Sequence, residues 1–328
     1  MRLICRERSS RWRTGHTHCN VSLGDVVTVA AIEAGGTKIV CAVGSSIEEI
    51  RTTRMRCVVQ TADPTETTSQ MAVFFNSCQL LEKVDRVGIA TFGPVDQSTG
   101  TIGPTPKPGW SGFNWPTFAE TVFKGANVAV DTDVNAAALA EARYGASRGL
   151  NVSVYLTVGT GIGGGIIVDD CLLQGVGHPE IGHMLVPRVS GDAFAGVCPY
   201  HTDCLEGLAS GRAIGARVGV PSEFLDPGNE IWGLEANYLG AAILNVMTVV
   251  SPQRIVLGGG VMKQPVLLDL VRKEVAALVG GYFDLWFGPS NLESMIVPPD
   301  LGDDAGVVGA FELARSMSVE PRNVPLNL

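Results

Sequence analysis

The chain has 328 residues, of which 45% are apolar and 17% charged, a balance that buries a large core and excludes a disordered polymer. Its formal net charge is −9, and positions 1–22 hold five arginines against one glutamate. The body is therefore more acidic still, which excludes a general nucleic-acid surface, since phosphate neutralisation needs clustered Lys and Arg. No apolar run approaches the ~20 residues of a membrane span.

Glycine is in excess: 40 residues, about 12% against roughly 7% in an average protein. These glycines follow no collagen or linker period, so their expected use is tight turns near ligands. Eight cysteines, at 5, 19, 41, 57, 78, 171, 198 and 204, lie mostly singly in apolar stretches. That usage suits a reducing compartment, and a cytoplasmic protein is expected.

In chain order, positions 1–22 share no pattern with the rest and read either as an organelle transit peptide or as an extended or disordered start. Residues 26–44, VVTVAAIEAGGTKIVCAVG, predict a strand, a phosphate-sized turn and a second strand. Residues 86–96 (RVGIATFGPVD) follow as a further apolar stretch. In 126–145, a strand ends at Asp131 and an Ala-rich helix starts near Asp133 and stops at Gly145. The strand–Gly/Thr–strand grammar returns at 151–170, about 125 residues after its first appearance, and suggests two related α/β domains. A helical stretch, IWGLEANYLGAAILNVMTVVS, precedes a third strand–glycine junction, RIVLGGG, at 254–260. Alternating strands and helices make the class α/β.

Gly159-Thr160-Gly161-Ile162-Gly163-Gly164 contains G-x-G-x-x-G, but a strand follows where a dinucleotide fold needs a helix. No P-loop pattern occurs either. What remains is a pair of Gly/Thr turns, readable as hairpin turns or as cradles of N–H groups and hydroxyls for phosphate. The match of the two turns, with Gly258-Gly259-Gly260, favours nucleotide. Asp133 reads as a helix N-cap or as a base at the carboxyl ends of strands. His183, Cys198, His201 and Cys204 offer two imidazoles and two thiolates, a tetrahedral zinc set with no open position. The alternative is two buried thiols beside exposed histidines. His178-Pro179-Glu180 just upstream is placed either to pair with sugar hydroxyls or as a surface turn.

At these residues the chain resembles the ROK sugar kinases (repressor, open reading frame, kinase), and within them the bacterial-type fructokinases, over about Val27–Ala314. Glu33-Ala34-Gly35-Gly36-Thr37-Lys38 is similar to their first phosphate motif, Gly159–Gly163 to the second and Leu257–Gly260 to the adenosine-side motif. The resemblance implies two actin-like (ribonuclease H-like) ATPase domains with a cleft between them. A first domain of 25–134, with a last helix near 303–317 returning to it, would follow an N-terminal extension of 1–24. The second domain, 135–302, would carry the zinc knuckle.

The resemblance also implies roles. Asp133 would be the catalytic base. Gly35, Gly36, Thr37, Lys38, Gly159, Thr160, Gly161, Gly163, Gly258, Gly259 and Gly260 would hold ATP with Mg2+. Gly93, Pro94, Asn135, His178, Glu180 and Glu206 would face the sugar, and His183, Cys198, His201 and Cys204 a structural Zn2+. Glu33, the two-cysteine knuckle and Thr105-Pro106-Lys107-Pro108-Gly109-Trp110 depart from glucose-type members toward fructokinase-like ones. The expected reaction is ATP-dependent phosphorylation of fructose at the 6-hydroxyl by a homodimer, with no membrane or nucleic-acid partner. The alternatives are another hexose (glucose, mannose or N-acetylmannosamine) or a non-catalytic sugar-sensing regulator.

Overall fold

A computed structural model describes residues 2–3, 27–52, 55–79, 83–282 and 288–317. Apart from Arg2–Leu3, the Arg-rich start lies outside the described residues, and so does its reading as a leader. The chain divides into two compact units, 6–132 with 310–328, and 133–309 with 1–5.

The unit built on 6–132 is a five-stranded sheet: β1 (Val29–Ala34), β2 (Lys38–Gly44), β3 (Arg56–Gln60), β4 (Arg86–Thr91) and β5 (Asn127–Thr132). The order is β3-β2-β1-β4-β5. β1, β2 and β3 pair antiparallel, whereas β1, β4 and β5 pair parallel. β1 is central, which explains its unbroken apolar run: Val29, Ala30, Ala31 and Ile32 are all fully buried. Helix α1 (Pro64–Gln79) buries Met71, Phe75 and Cys78. Helix α2 (Trp115–Phe123) buries Trp115, Phe118 and Phe123. Asn114 starts α2 by accepting the Thr117 N–H at 2.8 Å, a cap that stabilises by ~1 kcal/mol.

The unit built on 133–309 repeats this plan. Its strands are β6 (Val152–Val158), β7 (Ile162–Val168), β8 (Cys171–Gln174), β9 (Arg254–Gly258) and β10 (Ile296–Val297). Their order is β8-β7-β6-β9-β10, with Arg2–Leu3 added beside β8. Again the first three are antiparallel and the last two join in parallel. The principal helices are α3 (Asp133–Tyr144), α4 (Leu205–Ala209), α5 (Gly211–Val218), α6 (Ile231–Val250) and α7 (Leu267–Val279), while a last helix, α8 (Ala305–Arg315), belongs from residue 310 onward to the unit built on 6–132.

Helix α6 corrects one reading of the sequence. At 20 residues it is long and apolar enough to cross a membrane, although half of that window is buried inside the protein. The sequence already reads as helical over this stretch, but Glu235 and Asn237 interrupt its apolar run. Trp232, Ala236, Tyr238, Leu239 and Ile243 on this helix belong to the hydrophobic core, so it is a core helix. The last helix is also shorter than 303–317: a 3-10 turn at Gly302–Asp304 precedes α8. Gly88 on β4 is where α8 approaches the sheet, since a Cβ there would lie 1.7 Å from the Ala310 carbonyl oxygen.

Candidate active site

Register places the candidate residues on the sheets. Ala34, Thr91 and Thr132 stand side by side at the carboxyl ends of β1, β4 and β5. Gly35, Gly93-Pro94 and Asp133 leave the sheet just beyond them, at the edge where α/β proteins bind ligands. Asp133 is the first residue of α3, and its carboxylate accepts the Val134 N–H at 2.9 Å. It stands at the positive end of the α3 dipole. Asn135, the third residue of α3, is fully buried with its side-chain oxygen against Gly165 of β7.

The turn from β1 to β2 uses every carbonyl internally. The Gly35 oxygen accepts from the Thr61 hydroxyl at 3.0 Å, the Gly36 oxygen from Lys107 Nζ at 2.9 Å, the Thr37 oxygen from the Thr61 N–H at 3.0 Å, and the Lys38 oxygen from the Gly35 N–H at 3.0 Å. Among the described residues, the N–H groups of Gly36 and Thr37 have no protein acceptor. Gly36, Thr37 and Lys38 are exposed. The turn thus offers backbone donors, a hydroxyl and ammonium groups on its outer side, the composition of an anion cradle. A Cβ on Gly36 would lie 2.7 Å from Lys107 Nζ, the far end of a flexible side chain, so the two groups meet closely at this turn.

In the other unit, the β6–β7 turn and the glycines after β9 come together. The Gly159 N–H donates to the Gly161 oxygen at 2.9 Å, and the Gly159 oxygen accepts the Gly211 N–H at the start of α5, at 2.7 Å. Gly259 has φ +93°, and a Cβ on it would lie 2.3 Å from the Val158 carbonyl. A Cβ on Gly159 would reach Gly260 N at 3.9 Å. Gly163 lies in β7, where a Cβ would press on Val134 at 3.0 Å, so its glycine serves close packing of α3 on the sheet. The strand after these glycines bears out the rejection of a dinucleotide fingerprint.

One ligand atom from each of His183, Cys198, His201 and Cys204 lies within 4.8 Å of the other three. Cys198 Sγ is 3.8 Å from His183 Nδ1 and 3.7 Å from His201 Nδ1. Burial pushes the Cys204 thiol up to about 11. Cys204 also caps α4, its sulfur accepting the Gly207 N–H at 3.3 Å. Two residues on, Glu206 accepts the Ile162 N–H at 2.9 Å, so the four-donor loop is tied to the second glycine turn. His178 and Glu180 pair with each other at 2.9 Å.

Lys107 and Thr61 are the residues sequence reasoning missed. The segment Thr105–Trp110 drew attention only as a departure from glucose-type members, yet its members divide in function. Trp110 is fully buried, donating from Nε1 to the Ala62 oxygen at 2.8 Å within an aromatic cluster with Phe92, Phe113 and Trp115. Lys107 instead reaches the phosphate-type turn, its ammonium 4.7 Å from the Phe92 ring centroid. The lone lysine between two prolines was the available signal.

Two sheets of identical strand order, each with a glycine-rich turn between its first two strands, define the class as an actin-like ATPase fold. The chain belongs to the ROK family, whose pattern matches residues 29–317. It is 41% identical over 293 residues to a fructokinase of Zymomonas mobilis, covering 86% of this chain and 95% of that one. It is 36% identical over 295 residues to a fructokinase of Pediococcus pentosaceus, covering 88% and 98%. Among solved structures, a ROK family glucokinase from Streptomyces griseus, in complex with glucose and AMPPNP, superposes with a TM-score of 0.69. That match has 27% identity and covers 88% of this chain and all of the other.

Proposed function

We propose that this chain is a fructokinase, transferring the γ-phosphoryl group of MgATP to the 6-hydroxyl of fructose. The observation that carries the reading is the β1–β2 turn, whose carbonyls are all engaged within the protein and whose exposed side is left with donors and positive charge. The relatives named fructokinase, 36% and 41% identical over nearly their full length, support the choice of sugar.

Phosphoryl transfer asks a protein chiefly for positioning and for charge placed against the transferring oxygens. Gly35–Lys38 and Gly159–Gly161 would hold phosphate oxygens, Gly258–Gly260 the adenosine side. Lys107 would set its ammonium against the developing charge. Asp133 would accept the hydroxyl proton as the sugar oxygen attacks phosphorus. Gly93, Pro94, Asn135, His178, Glu180 and Glu206 would lie toward the sugar. Fructose and glucose differ at C1 and C2, so discrimination belongs to residues at that end, with Glu180 a candidate. A site built to pair with particular hydroxyls rejects an analogue that leaves its buried groups unpaired.

For the four-donor loop we infer a structural zinc. Zn–S near 2.3 Å and Zn–N near 2.05 Å with tetrahedral angles put sulfur and nitrogen about 3.6 Å apart. The 3.7 and 3.8 Å separations fit that edge. When bound, zinc would deprotonate both thiols and hold the loop. With all four positions filled by protein, the chain's own residues do the chemistry.

The test is ADP release over a panel of hexoses at saturating MgATP, read as kcat/KM. Fructose is expected to exceed glucose clearly. Equal values would remove the sugar assignment and leave the kinase standing, whereas no ADP release with any hexose would remove both.

A further inference from the structure

Cys41 and Cys57 lie 16 residues apart and face each other directly across β2 and β3. Directly opposed positions send their side chains to the same face of the sheet, so the two thiols are neighbours. Flanking bonds fix the type of pairing: Val43 N–H donates to the Met55 oxygen and Thr61 N–H to the Thr37 oxygen, both at 3.0 Å. Positions 37, 41 and 43 share the same phase of the ladder, so Cys41 and Cys57 form a hydrogen-bonded antiparallel pair. Such a pair has Cα atoms about 5.5 Å apart, inside the roughly 4.4–6.8 Å that a disulfide spans.

The two thiols differ in surroundings. Cys41 is fully buried in the core beneath α1. Cys57 is half-buried on β3, the outer strand of this sheet among the described residues. We propose that Cys57 and Cys41 form a reversible redox site oxidised by hydrogen peroxide, with Cys57 the attacking thiol and Cys41 the resolving one. The neighbouring Cys41 thiol holds the Cys57 thiol below its ordinary value, and burial pushes Cys41 well above it. That split puts the reactive thiolate on the accessible sulfur.

In the first step Cys57 sulfur bonds to one peroxide oxygen, the O–O bond breaks, and the second oxygen leaves as water with the thiol proton. In the second step Cys41 sulfur attacks the Cys57 sulfenic acid. The S–O bond breaks and its hydroxyl leaves as water with the Cys41 proton. Two thiols and one peroxide give one disulfide and two waters. Directly opposed strand positions keep Cβ atoms about 4.5–5.5 Å apart, wider than the ~3.8 Å of a relaxed disulfide. The bridge must draw β2 toward β3 and is accordingly easy to reduce.

The third thiol nearby, Cys78 on α1, lies in the same buried core cluster as Cys41 and supplies the internal control. Purified full-length protein would be treated with hydrogen peroxide, alkylated and digested without reduction. A linked peptide pair holding Cys41 and Cys57, 2 Da lighter than the two thiol peptides, is expected and should vanish with dithiothreitol. Cys78→Ser should retain the link and Cys57→Ser should lose it. In Cys41→Ser, Cys57 should be trapped by dimedone as its sulfenic acid. A Cys57–Cys78 link, oxidation of Cys57 past the sulfenic acid with Cys41 still alkylated, or both thiols still alkylated throughout would each overturn the proposal. The wild-type map decides without any variant having to fold.

Discussion

In the proposed reaction Asp133 would accept the proton and Lys107 would supply positive charge, and each can be removed by a substitution that changes side-chain shape little. Asp133→Asn should retain the fold and MgATP binding while lowering kcat by roughly 100-fold or more, the scale for a positioned base. If Asp133 were only the start of a helix, turnover would stay near wild type and stability would fall by ~1 kcal/mol; thermal melts beside steady-state kinetics separate the two. Lys107→Met keeps an unbranched apolar side chain and deletes the ammonium that lies over the Phe92 ring and bonds to the Gly36 oxygen. Its kcat should drop roughly 10-fold or more, with fructose KM changing far less, since charge on the transferring group matters most in the transition state. An unchanged kcat would confine Lys107 to bracing the turn.

At the level of elements, the glycine turns and the four-donor loop are tied to their neighbours by backbone contacts. Gly259→Ala must place a Cβ 2.3 Å from the Val158 carbonyl at φ +93°. The left-handed conformation alone costs about 1–2 kcal/mol. The variant should melt earlier and bind ATP more weakly, both readable by titrating its thermal shift with nucleotide. The loop should hold about one zinc per chain by elemental analysis. Cys198→Ser with Cys204→Ser should lose the metal and lower Tm. Chelation should act through stability and sugar affinity, because Cys204 starts the helix whose Glu206 holds the Ile162 N–H. Absence of zinc from fresh protein would remove that reading.

Across the whole molecule, buried carboxylates set opposite pH trends. Asp192 accepts both Arg217 nitrogens at 2.8 Å and the Tyr238 hydroxyl. Chiefly through Arg217, its carboxyl is held well below the usual range. Its contribution is therefore present above the ordinary value near 3.8 and fades as the solution is acidified below it. Glu235 on α6 is buried with Oε1 lacking a hydrogen-bond partner, and burial pushes its carboxyl well above 4.5. The folded state then binds the extra proton, so stability falls as pH rises above about 4.5. Glu235→Gln should remove that loss, making Tm fall less between pH 5 and pH 8 than in the wild type. Parallel curves for the two proteins would show that Glu235 does not titrate in this window.

Much of the site was legible because its signals are local. A strand, two glycines, a threonine and a strand give a turn wherever they occur, since backbone sterics act over a few residues. The spacing of Cys198, His201 and Cys204 likewise brings three donors together within one short loop. Strand order and register were not legible, because they follow from which apolar faces meet. Lys107 finds Gly36 from 71 residues away, and Glu206 finds Ile162 from 44 residues away. Cys41 and Cys57, each unremarkable in its own apolar stretch, become neighbours only through the ladder. The sequence by itself determined the turns, the donor loop and the position of Asp133 between strand and helix. Only the tertiary structure decided which charges and thiols those pieces would meet, because pairing across a sheet and burial beneath a helix are properties of the packed chain.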